Sequence, residues 1–357
     1  MNASRPDLSK VDPGVRAYIE ALEAEIEQLS RRSNRSRSKP EIEEEFDEIQ
    51  DIHEPAEPPT TYNVITATAS GIAKRTPRHL YSRQRRGGMG VFDLDAPGDS
   101  PPAILAIADE RQNLLLITNF GRAFRLPVNQ IPETELRARG ETIVNKLNLM
   151  PDEGLAVFPP DQAQGYVALL SRRGNVRLLR HHVFGEHMKP GTALYDVKAF
   201  GPLASACWTP GDGDLFIATS QGRAIRFSEK LIPPQGGIGI RLGDGDHAVG
   251  IAPVYADSRV FLLGADGKGT IRLMEGFSPN KAPGAGGKIA MATDRLIGSL
   301  NVDEAEDIFI ISKLGKIIRF NAGEVPAKDG VVQGVICMSL RGDEPMAMTI
   351  SQTIRAF

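Results

Sequence analysis

The sequence predicts an all-β fold, a six-bladed β-propeller preceded by a short N-terminal helix and a charged linker. Three observations favour this fold class. One glycine-containing segment recurs six times, large and β-branched apolar residues surround each copy, and a second glycine-containing segment follows. A repeat of 45 to 53 residues with several short strands is typical of propeller blades, which are four-stranded sheets arranged around an axis.

The recurring segment consists of an apolar strand, a small polar turn with glycine, and a short strand that carries a cation. The six copies read TASGIAKR at Gly71, TNFGRAFR at Gly121, SRRGNVR at Gly174, TSQGRAIR at Gly222, ADGKGTIR at Gly267 and SKLGKIIR at Gly315. The intervals between these glycines are 50, 53, 48, 45 and 48 residues. Because glycine supplies the positive φ that tight turns require, we expect a β-hairpin at each copy. A long open sandwich is the competing architecture, but it does not require so even a period.

The second segment contains a glycine loop, a short apolar strand, an acidic turn and a further strand. Examples are Arg139-Gly140 before Ile143, Gly236-Gly237 before Ile238, Gly286-Gly287 before Lys288, and Gly334 before Val335. Two hairpins in each repeat would supply about four strands to its blade. Six such units account for residues 61–357, which we expect to form the propeller domain.

Residues 1–30 are predicted to contain an amphipathic helix. Asp12 and Pro13 form a helix start, and apolar residues follow at steps of 4, 3, 4 and 3, namely Val15, Ile19, Leu22, Ile26 and Leu29. Two outcomes are open: packing of one helix on the propeller or a partner, and a homodimer through residues 15–29. Residues 31–60 combine a Ser/Arg segment with an acidic run. We expect a flexible linker there, because neither part can bury enough apolar surface to offset the entropy of ordering.

The charges divide the chain into an acidic beginning and a mildly basic remainder. Residues 1–60 contain 8 Lys/Arg and 15 Asp/Glu, whereas the rest contains 34 Lys/Arg and 30 Asp/Glu. This asymmetry favours a nucleic-acid partner, although the excess is weak by itself. No apolar stretch is long enough to span a membrane, and Cys207 and Cys337 lie far apart, as plain thiols of a reducing compartment would. We therefore expect a cytoplasmic protein without a membrane segment.

The first repeat contains the heptad Gln84-Arg85-Arg86-Gly87-Gly88-Met89-Gly90. Arginine forks bind phosphate oxygens bidentately, and glycines allow backbone N–H groups to approach a phosphate closely. The heptad resembles the glycine-rich basic motif called the gyrase A box, and residues 61–357 are similar to the C-terminal propeller of bacterial DNA gyrase A. Six of the seven positions match the usual motif. Met89 departs from it, since the family usually carries Lys or Arg there, and one expected phosphate contact is therefore missing.

The resemblance implies a protein that binds double-stranded DNA without sequence preference, wraps or bends it, and assists DNA topological change. Recurrent cations at the hairpins would extend the site around the ring as a discontinuous basic track. The candidate DNA-binding residues are Gln84, Arg85, Arg86, Gly87, Gly88, Gly90, Arg122, Arg125, Arg172, Arg173, Arg223, Arg226, Lys268, Arg272, Lys316 and Arg319. Strand-end arginines also pair with acids inside a blade, so we expect about half of the hairpin cations to be structural.

No catalytic, cofactor-binding or metal-ligating pattern emerges from the sequence. The histidine cluster of His181, His182 and His187 does not have a known metal-ligand spacing. Gyrase A proteins carry a cleavage region with an active-site tyrosine ahead of the propeller, and only sixty residues precede the first blade here. We therefore expect a non-catalytic protein without cofactors that acts beside gyrase or topoisomerase subunits, or alone. The alternative is a protein-interaction propeller, an accessory to a topoisomerase or another DNA complex.

Overall fold

The computed structural model describes residues 57–351 and, nearer the N-terminus, Ile19 alone, which is helical. The chain divides into two compact units, Met1–Asp51 and Ile52–Phe357. The predicted helix over 1–30, its dimerisation and the predicted linker up to residue 56 otherwise lie outside the described residues. These assignments therefore stay predictions.

The described chain consists mainly of short strands. In chain order they are β1 (Tyr62–Thr68), β2 (Ile72–Pro77), β3 (Val91–Phe92), β4 (Pro102–Asp109), β5 (Asn113–Thr118), β6 (Arg122–Pro127), β7 (Glu141–Thr142), β8 (Leu155–Val157), β9 (Tyr166–Ser171), β10 (Asn175–Arg180), β11 (Thr192–Ala193), β12 (Leu203–Thr209), β13 (Asp214–Thr219), β14 (Arg223–Ser228), β15 (Gly237–Ile238), β16 (Ala248–Val254), β17 (Arg259–Gly264), β18 (Lys268–Leu273), β19 (Lys288–Ile289), β20 (Leu296–Asn301), β21 (Asp307–Ser312), β22 (Lys316–Asn321), β23 (Ala327–Lys328), β24 (Val335–Ile336) and β25 (Pro345–Ile350). A one-turn α-helix spans Val197–Phe200, and 3₁₀ turns span Arg78–Leu80, Val128–Gln130, Val144–Lys146, His181–Phe184, Glu229–Leu231 and Ala322–Glu324.

The strands form six sheets, and the order within each sheet confirms the predicted six-bladed propeller. From the axis outward, the blades are β4-β1-β2-β7, β8-β5-β6-β11, β12-β9-β10-β15, β16-β13-β14-β19, β20-β17-β18-β24 and β25-β21-β22-β3, numbered 1 to 6. In blade 5, β23 also pairs with β18. Each blade therefore has an inner strand, the two strands of the predicted hairpin and a short outer strand.

The outer strand of each blade comes from the next repeat, which corrects the expectation that each repeat completes its own blade. β7 follows the hairpin of blade 2 but pairs with β2 of blade 1. β3 follows the hairpin of blade 1 and pairs with β22 of blade 6, so it closes the ring. The repeat in the sequence indicates how many strands each copy contains, but it does not specify which sheet a two-residue strand joins. The exchange links every blade to its neighbour through backbone hydrogen bonds.

Glycine is required in the hairpin turns and also in the loop immediately before β3. The hairpin glycines Gly71, Gly121, Gly174, Gly222, Gly267 and Gly315 all have φ between +68° and +89°, as predicted for the turns. Gly90, immediately before β3, has a second reason. A Cβ there would lie 2.5 Å from the Ile317 carbonyl oxygen of blade 6, so only glycine allows the outer strand to approach.

The hydrophobic core consists of six clusters, one between each pair of neighbouring blades. Between blades 5 and 6, for example, Phe261 packs with Ile308 and Phe320. The inner strands surround a central cavity of about 300 Å³, with small residues such as Ala206, Gly250 and Gly298 in its lining. Each blade therefore buries apolar side chains on both faces, and all six interfaces contribute to the stability of the ring.

The interface that closes the ring contains the most deeply buried ion pair among residues 57–351. The side chains of Lys74 and Asp93 are fully buried, and Lys74 Nζ lies 2.8 Å from Asp93 Oδ1. Thr66 Oγ1 and Tyr81 Oη donate hydrogen bonds of 2.7 and 2.6 Å to the same carboxylate. Burial, together with the Asp93 charge, raises the pKa of Tyr81 well above its usual value, so its hydroxyl remains a donor. Asp93 directly follows β3, so the network fixes the closing strand in place.

The end of the predicted linker is also fixed at this closure. The Glu57 carboxylate pairs with Arg78 and, at 2.6 Å, with Arg319 Nη2 of blade 6. Burial alone would raise the pKa of Glu57, but the hydrogen bonds and charges of Arg78 and Arg319 outweigh it and lower the pKa. Glu57 therefore stays ionised and ties its segment to the propeller.

Asp93→Ala should lower the free energy of unfolding by about 3–5 kcal/mol, because it leaves the Lys74 ammonium buried without a counter-charge. Urea unfolding followed by circular dichroism measures this change. Asp95→Ala is the matched control, since the Asp95 side chain is 60% exposed and pairs with an exposed arginine. Its expected effect is within about 0.5 kcal/mol. Equal losses in the two variants would show that closure does not depend on the buried pair.

Candidate nucleic-acid interface

The heptad from Gln84 to Gly90 lies on the outer edge of the propeller, directly before β3. Its backbone is fastened to the preceding blades: the Gln84 amide donates to the Arg319 carbonyl at 2.7 Å, and the Gly87 amide donates to the Cys337 carbonyl at 2.8 Å. The loop therefore forms part of the ring closure as well as the surface beside it.

The two arginines of the heptad have different environments. The Arg86 guanidinium donates to the Glu324 carbonyl at 2.8 Å and to the Ile336 carbonyl at 3.2 Å, and its amide donates to the Glu324 carboxylate at 2.9 Å. Arg86 thus holds the loop against the neighbouring segment. Arg85 is exposed, and its side chain has no hydrogen bond or ion pair to any residue from 57 to 351. The geometry leaves Arg85 available to an external anion.

The glycines of the heptad also differ in what they permit. A Cβ at Gly88 would lie 2.8 Å from Gln84 Oε1, so this glycine accommodates the loop's own side chain. Gly87 has φ +83° and more open surroundings, with the Ile336 carbonyl oxygen nearest to an added Cβ at 3.5 Å. The side chain of Met89, where the gyrase A box usually has a cation, is exposed. Close backbone approach by a ligand therefore remains feasible mainly at Gly87.

Two of the six predicted turn cations, Arg122 and Arg223, bind the outer loops instead of facing solvent freely. Arg223 donates to the carbonyls of Gly286 and Gly287 at 2.9 and 2.7 Å. Arg122 pairs with Glu153 and donates to the Gly191 carbonyl at 3.2 Å. These arginines hold outer segments of neighbouring repeats onto the hairpins. Their charges are therefore already engaged within the protein.

The remaining turn cations are more accessible. The ammonium of Lys268 lies 3.0 Å from Asp266, and that of Lys316 lies 5.3 Å from the ring centroid of Phe92. Arg172 and Arg173 are exposed, and Arg173 donates to the Lys198 carbonyl at 3.0 Å. Of the turn set, Arg172 and Arg173 thus offer the most accessible guanidinium groups.

The predicted strand cations are largely structural, which corrects part of the sequence assignment. Arg226 and Arg319 pair with Asp214 and Asp307 at 2.8 and 2.7 Å. Arg226, Arg272 and Arg319 are no more than 7% exposed, so these three do not reach a surface ligand. Arg125 is partly exposed, but it forms a 2.6 Å ion pair with Asp161. An unpaired buried guanidinium is costly, and Arg125, Arg226 and Arg319 are each matched with an acid inside the propeller, whereas Arg272 forms no ion pair with a described acid.

A second set of cations, which the hairpin pattern does not identify, lies in short outer strands and in the segments around them. We call these residues the rim cations: Arg85, Arg137, Lys189, Lys198, Arg241, Lys281, Lys288 and Lys328. All are exposed, and among the described residues none forms an ion pair with a carboxylate. Every blade has at least one, from Arg137 on blade 1 to Arg85 on blade 6. The signal in the sequence is a lysine or arginine beside the second glycine-containing segment.

Exposed acids lie on the rim, as at Glu141 of β7 and at Asp329 beside Lys328, and also in loops that follow the inner strands. Asp212, Asp257, Asp303 and Glu304 occupy such loops after β12, β16 and β20. The Asp212 carboxylate accepts a 3.1 Å hydrogen bond from Tyr255, and Glu304 pairs with Arg259 at 2.5 Å. The rim therefore carries charges of both signs, and a polyanion would meet the rim cations as separate contact points.

Two further observations concern metal binding and membrane-spanning helices. Within residues 57–351, no group of His, Cys, Asp and Glu side chains is arranged to hold a metal ion. None of the described helices is long and apolar enough to cross a membrane.

Comparison with protein families identifies the repeat. Residues 62–99, 112–149, 213–254 and 306–345 match the family described as DNA gyrase C-terminal domain, beta-propeller. The DNA gyrase A protein of Chlamydia pneumoniae is 29% identical over 326 residues, which cover 86% of this chain and 38% of the relative. For the Mycobacterium leprae gyrase A protein the identity is 28% over 300 residues, or 80% and 24% of the two chains. The chain thus spans less than two fifths of the length of these relatives.

Two solved structures share the fold. The structure of a DNA gyrase A C-terminal domain superimposes with a TM-score of 0.71 at 21% identity, covering 81% of this chain and 99% of that one. The C-terminal domain of DNA topoisomerase IV has a TM-score of 0.59 at 17% identity, covering 82% and 94%.

The different environments of Arg85 and Arg86 lead to opposite expectations for stability. Arg86→Ala should lower the free energy of unfolding by about 1.5–3 kcal/mol, because it removes charge-assisted hydrogen bonds at the ring closure. Arg85→Ala should change it by less than about 0.5 kcal/mol. Urea titration of both variants measures the difference. A loss at Arg85 as large as that at Arg86 would contradict the assignment of separate roles.

Proposed function

Because the propeller of this chain matches the DNA gyrase A C-terminal family, we propose that it binds double-stranded DNA along its rim and bends it without reading its sequence. The observation that carries the proposal is the set of rim cations, at least one on every blade, with exposed Arg85 in the box. Bending around the whole ring gives wrapping. We assign the propeller no catalytic step.

The physical basis is neutralisation of the DNA backbone. Double-stranded DNA carries one negative charge per about 1.7 Å of helix axis, and a protein that neutralises phosphates releases condensed counterions. Lysine and arginine side chains on separate blades would contact successive stretches of backbone as DNA follows the ring. Such contacts position DNA but carry no base information. Smoothly bending a short site costs on the order of 1–6 kcal/mol, which several separate phosphate contacts can offset.

The partners follow from the matched region. The family match falls on the propeller, and the aligned segment is 38% of one curated relative and 24% of another. We propose that the propeller works in the cytoplasm with gyrase or topoisomerase subunits that supply cleavage and rejoining. DNA held on the rim would then be presented to those subunits in a bent form.

One observation favours a second candidate function, a protein-interaction propeller. The second residue of the outer strand is apolar and about half exposed on blades 3 to 6, at Ile238, Ile289, Ile336 and Phe92. A row of exposed apolar side chains is also a feature of protein-binding surfaces. This candidate predicts capture of a protein partner and no retardation of DNA at low salt.

Binding of a linear duplex over a salt series tests the DNA proposal. We expect the logarithm of the association constant to fall linearly with the logarithm of salt concentration, and Arg85→Ala should reduce that slope by about 0.9. Arg111→Ala is the matched control, because Arg111 is an exposed cation in the turn between β4 and β5, away from the outer strands. An unchanged slope for Arg85→Ala would remove the box arginine from the interface.

A plasmid topology assay tests wrapping separately from binding. Relaxed circles closed by a topoisomerase in the presence of the protein should show a linking-number shift of one sign, because wrapped DNA stores writhe of one hand. The linking-number shift should diminish when Lys189 of blade 2 and Lys281 and Lys288 of blade 4 are replaced by alanine. Tight binding without any shift would restrict the function to binding.

A further inference from the structure

The outer loop of blade 4 has the same length and position as the box. Residues 281–289 read KAPGAGGKI and end on β19, whereas residues 84–92 read QRRGGMGVF and end on β3. Aligned on the outer strands, Gly284 corresponds to Gly87, and Gly287 corresponds to Gly90. The side-chain letters differ at most other positions, so the sequence alone gives little reason to compare the two loops.

The backbone of the two loops is nevertheless the same. Gly284 and Gly87 have φ of +80° and +83°, and Gly287 and Gly90 have φ of +66° and +71°. The amide of Gly284 donates at 2.8 Å to the residue that follows the outer strand of blade 3, just as the Gly87 amide does to the residue that follows the outer strand of blade 5. A second pair of bonds repeats the pattern: Arg241 N to Ala285 O at 3.1 Å and Ser339 N to Gly88 O at 2.9 Å.

Different side chains stabilise the common backbone. In the box, the Arg86 guanidinium fastens the loop to the neighbouring segment. Pro283 occupies the corresponding position on blade 4, where its ring restricts φ without any side-chain hydrogen bond. The Arg223 guanidinium binds the carbonyls of Gly286 and Gly287 from the hairpin side. Because a trans peptide places N–H opposite C=O, the Gly287 amide points away from Arg223.

The blade 4 loop is open to a ligand and surrounded by positive charge. A Cβ at Gly286 would have the Arg241 carbonyl oxygen, at 3.8 Å, as its nearest neighbour. Lys281 and Lys288 are exposed at the two ends of the loop, and neither has an ion-pair partner in the described part of the chain. The glycines therefore leave room for a phosphate to approach the backbone between two ammonium groups.

Beneath the loop, the positive charge is only partly compensated. Arg272 and Lys288 share the ring of Phe277, with Lys288 Nζ 4.1 Å from its centroid. Arg272 is 5% exposed, and its Nε and Nη1 atoms have no hydrogen-bond partner among the described residues. Burial, followed by the charges of Arg272 and Arg226, lowers the pKa of Lys288. An anion beside Lys288 would relieve this repulsion.

We propose that residues 281–289 form a second phosphate-binding loop for DNA, two blades from the box on the same rim. The box provides its cation at Arg85, within the loop, whereas the second loop provides Lys281 and Lys288 at its ends. DNA that follows the rim from blade 6 would meet this loop after passing blade 5. The assignment rests on the proposed DNA binding, and it adds a discrete site to that interface.

The test is a salt series with the full chain and a set of duplexes of increasing length. For duplexes long enough to reach from blade 6 to blade 4, Lys281→Ala/Lys288→Ala should reduce the salt slope by about 1.8, the value for two phosphate contacts. Short duplexes that occupy the box alone should bind both proteins equally. Gly286→Glu, which places a carboxylate in the loop, should weaken binding of the long duplexes only.

Gly98→Glu is the matched control for the charge change. Gly98 is exposed, no atom lies within 4 Å of an added Cβ, and it belongs to the connection between β3 and β4. It should leave the long-duplex affinity near wild type. Unfolding midpoints confirm that each variant is folded; if Gly286→Glu is not, the double lysine variant decides.

The outcomes separate this inference from the proposed function. If the wild-type protein binds no duplex at low salt, the proposed DNA binding and the second phosphate-binding loop are both wrong. If Arg85→Ala reduces the salt slope but Lys281→Ala/Lys288→Ala leaves it unchanged at every DNA length, DNA binding stands and the second loop is wrong. A loss that is equal for short and long duplexes would also overturn it, because it would place Lys281 and Lys288 within the contact surface of the box.

Discussion

Transfer of the outer strand from each repeat to the blade before it is the constraint on which the rest of the structure depends. The pairing is small, two residues from β3 against two from β22 at the closure, but it recurs around the ring. Because the chain is continuous, no blade is complete until the next repeat has folded. At the last interface there is no following repeat, so the first one must supply the strand. The buried Lys74–Asp93 pair lies there, directly after β3, whose partner β22 is more than two hundred residues away in the sequence.

The same constraint divides the arginines into two groups. Outer strands of two residues cannot hold a loop by themselves, and the carbonyls of the outer loops need donors. Arg223, Arg122 and Arg86 provide them, so their guanidinium groups are engaged within the protein. The charges that remain accessible lie in the loops themselves, where no described element of the protein covers them. A rim with accessible cations is thus a consequence of how the blades are joined.

The sequence predicts the architecture well and the interface only in part, for physical reasons. The hairpin glycines need positive φ, and that need is visible as an even spacing, so the six blades follow from it. The pattern does not show which sheet a two-residue strand joins, because two residues are too few to show an alternation of apolar and polar side chains. It also does not distinguish Arg85 from its neighbour Arg86, because their environments depend on Glu324 and Ile336, more than two hundred residues away. The sequence also does not show that Arg226, Arg272 and Arg319 are buried, because the hairpin pattern is the same for a buried and an exposed cation.

The backbone conformation of the box recurs in other outer loops. The conformation of these loops, and not the heptad sequence, is therefore the feature that they share. Blade 1 gives a third example: Arg137 lies five residues before the end of β7, as Gly87 does before the end of β3, and has φ +62°. The amide of Asp95 donates to the Ala138 carbonyl at 3.3 Å, the counterpart of the bond between Ser339 and Gly88. A non-glycine residue in this region costs on the order of 1–2 kcal/mol, which the surrounding structure must offset. Here the strained position is itself an exposed arginine on the rim. The conformation that the box reaches with glycine is thus reached on blade 1 with an arginine, which places a cation at the corresponding point of the outer loop.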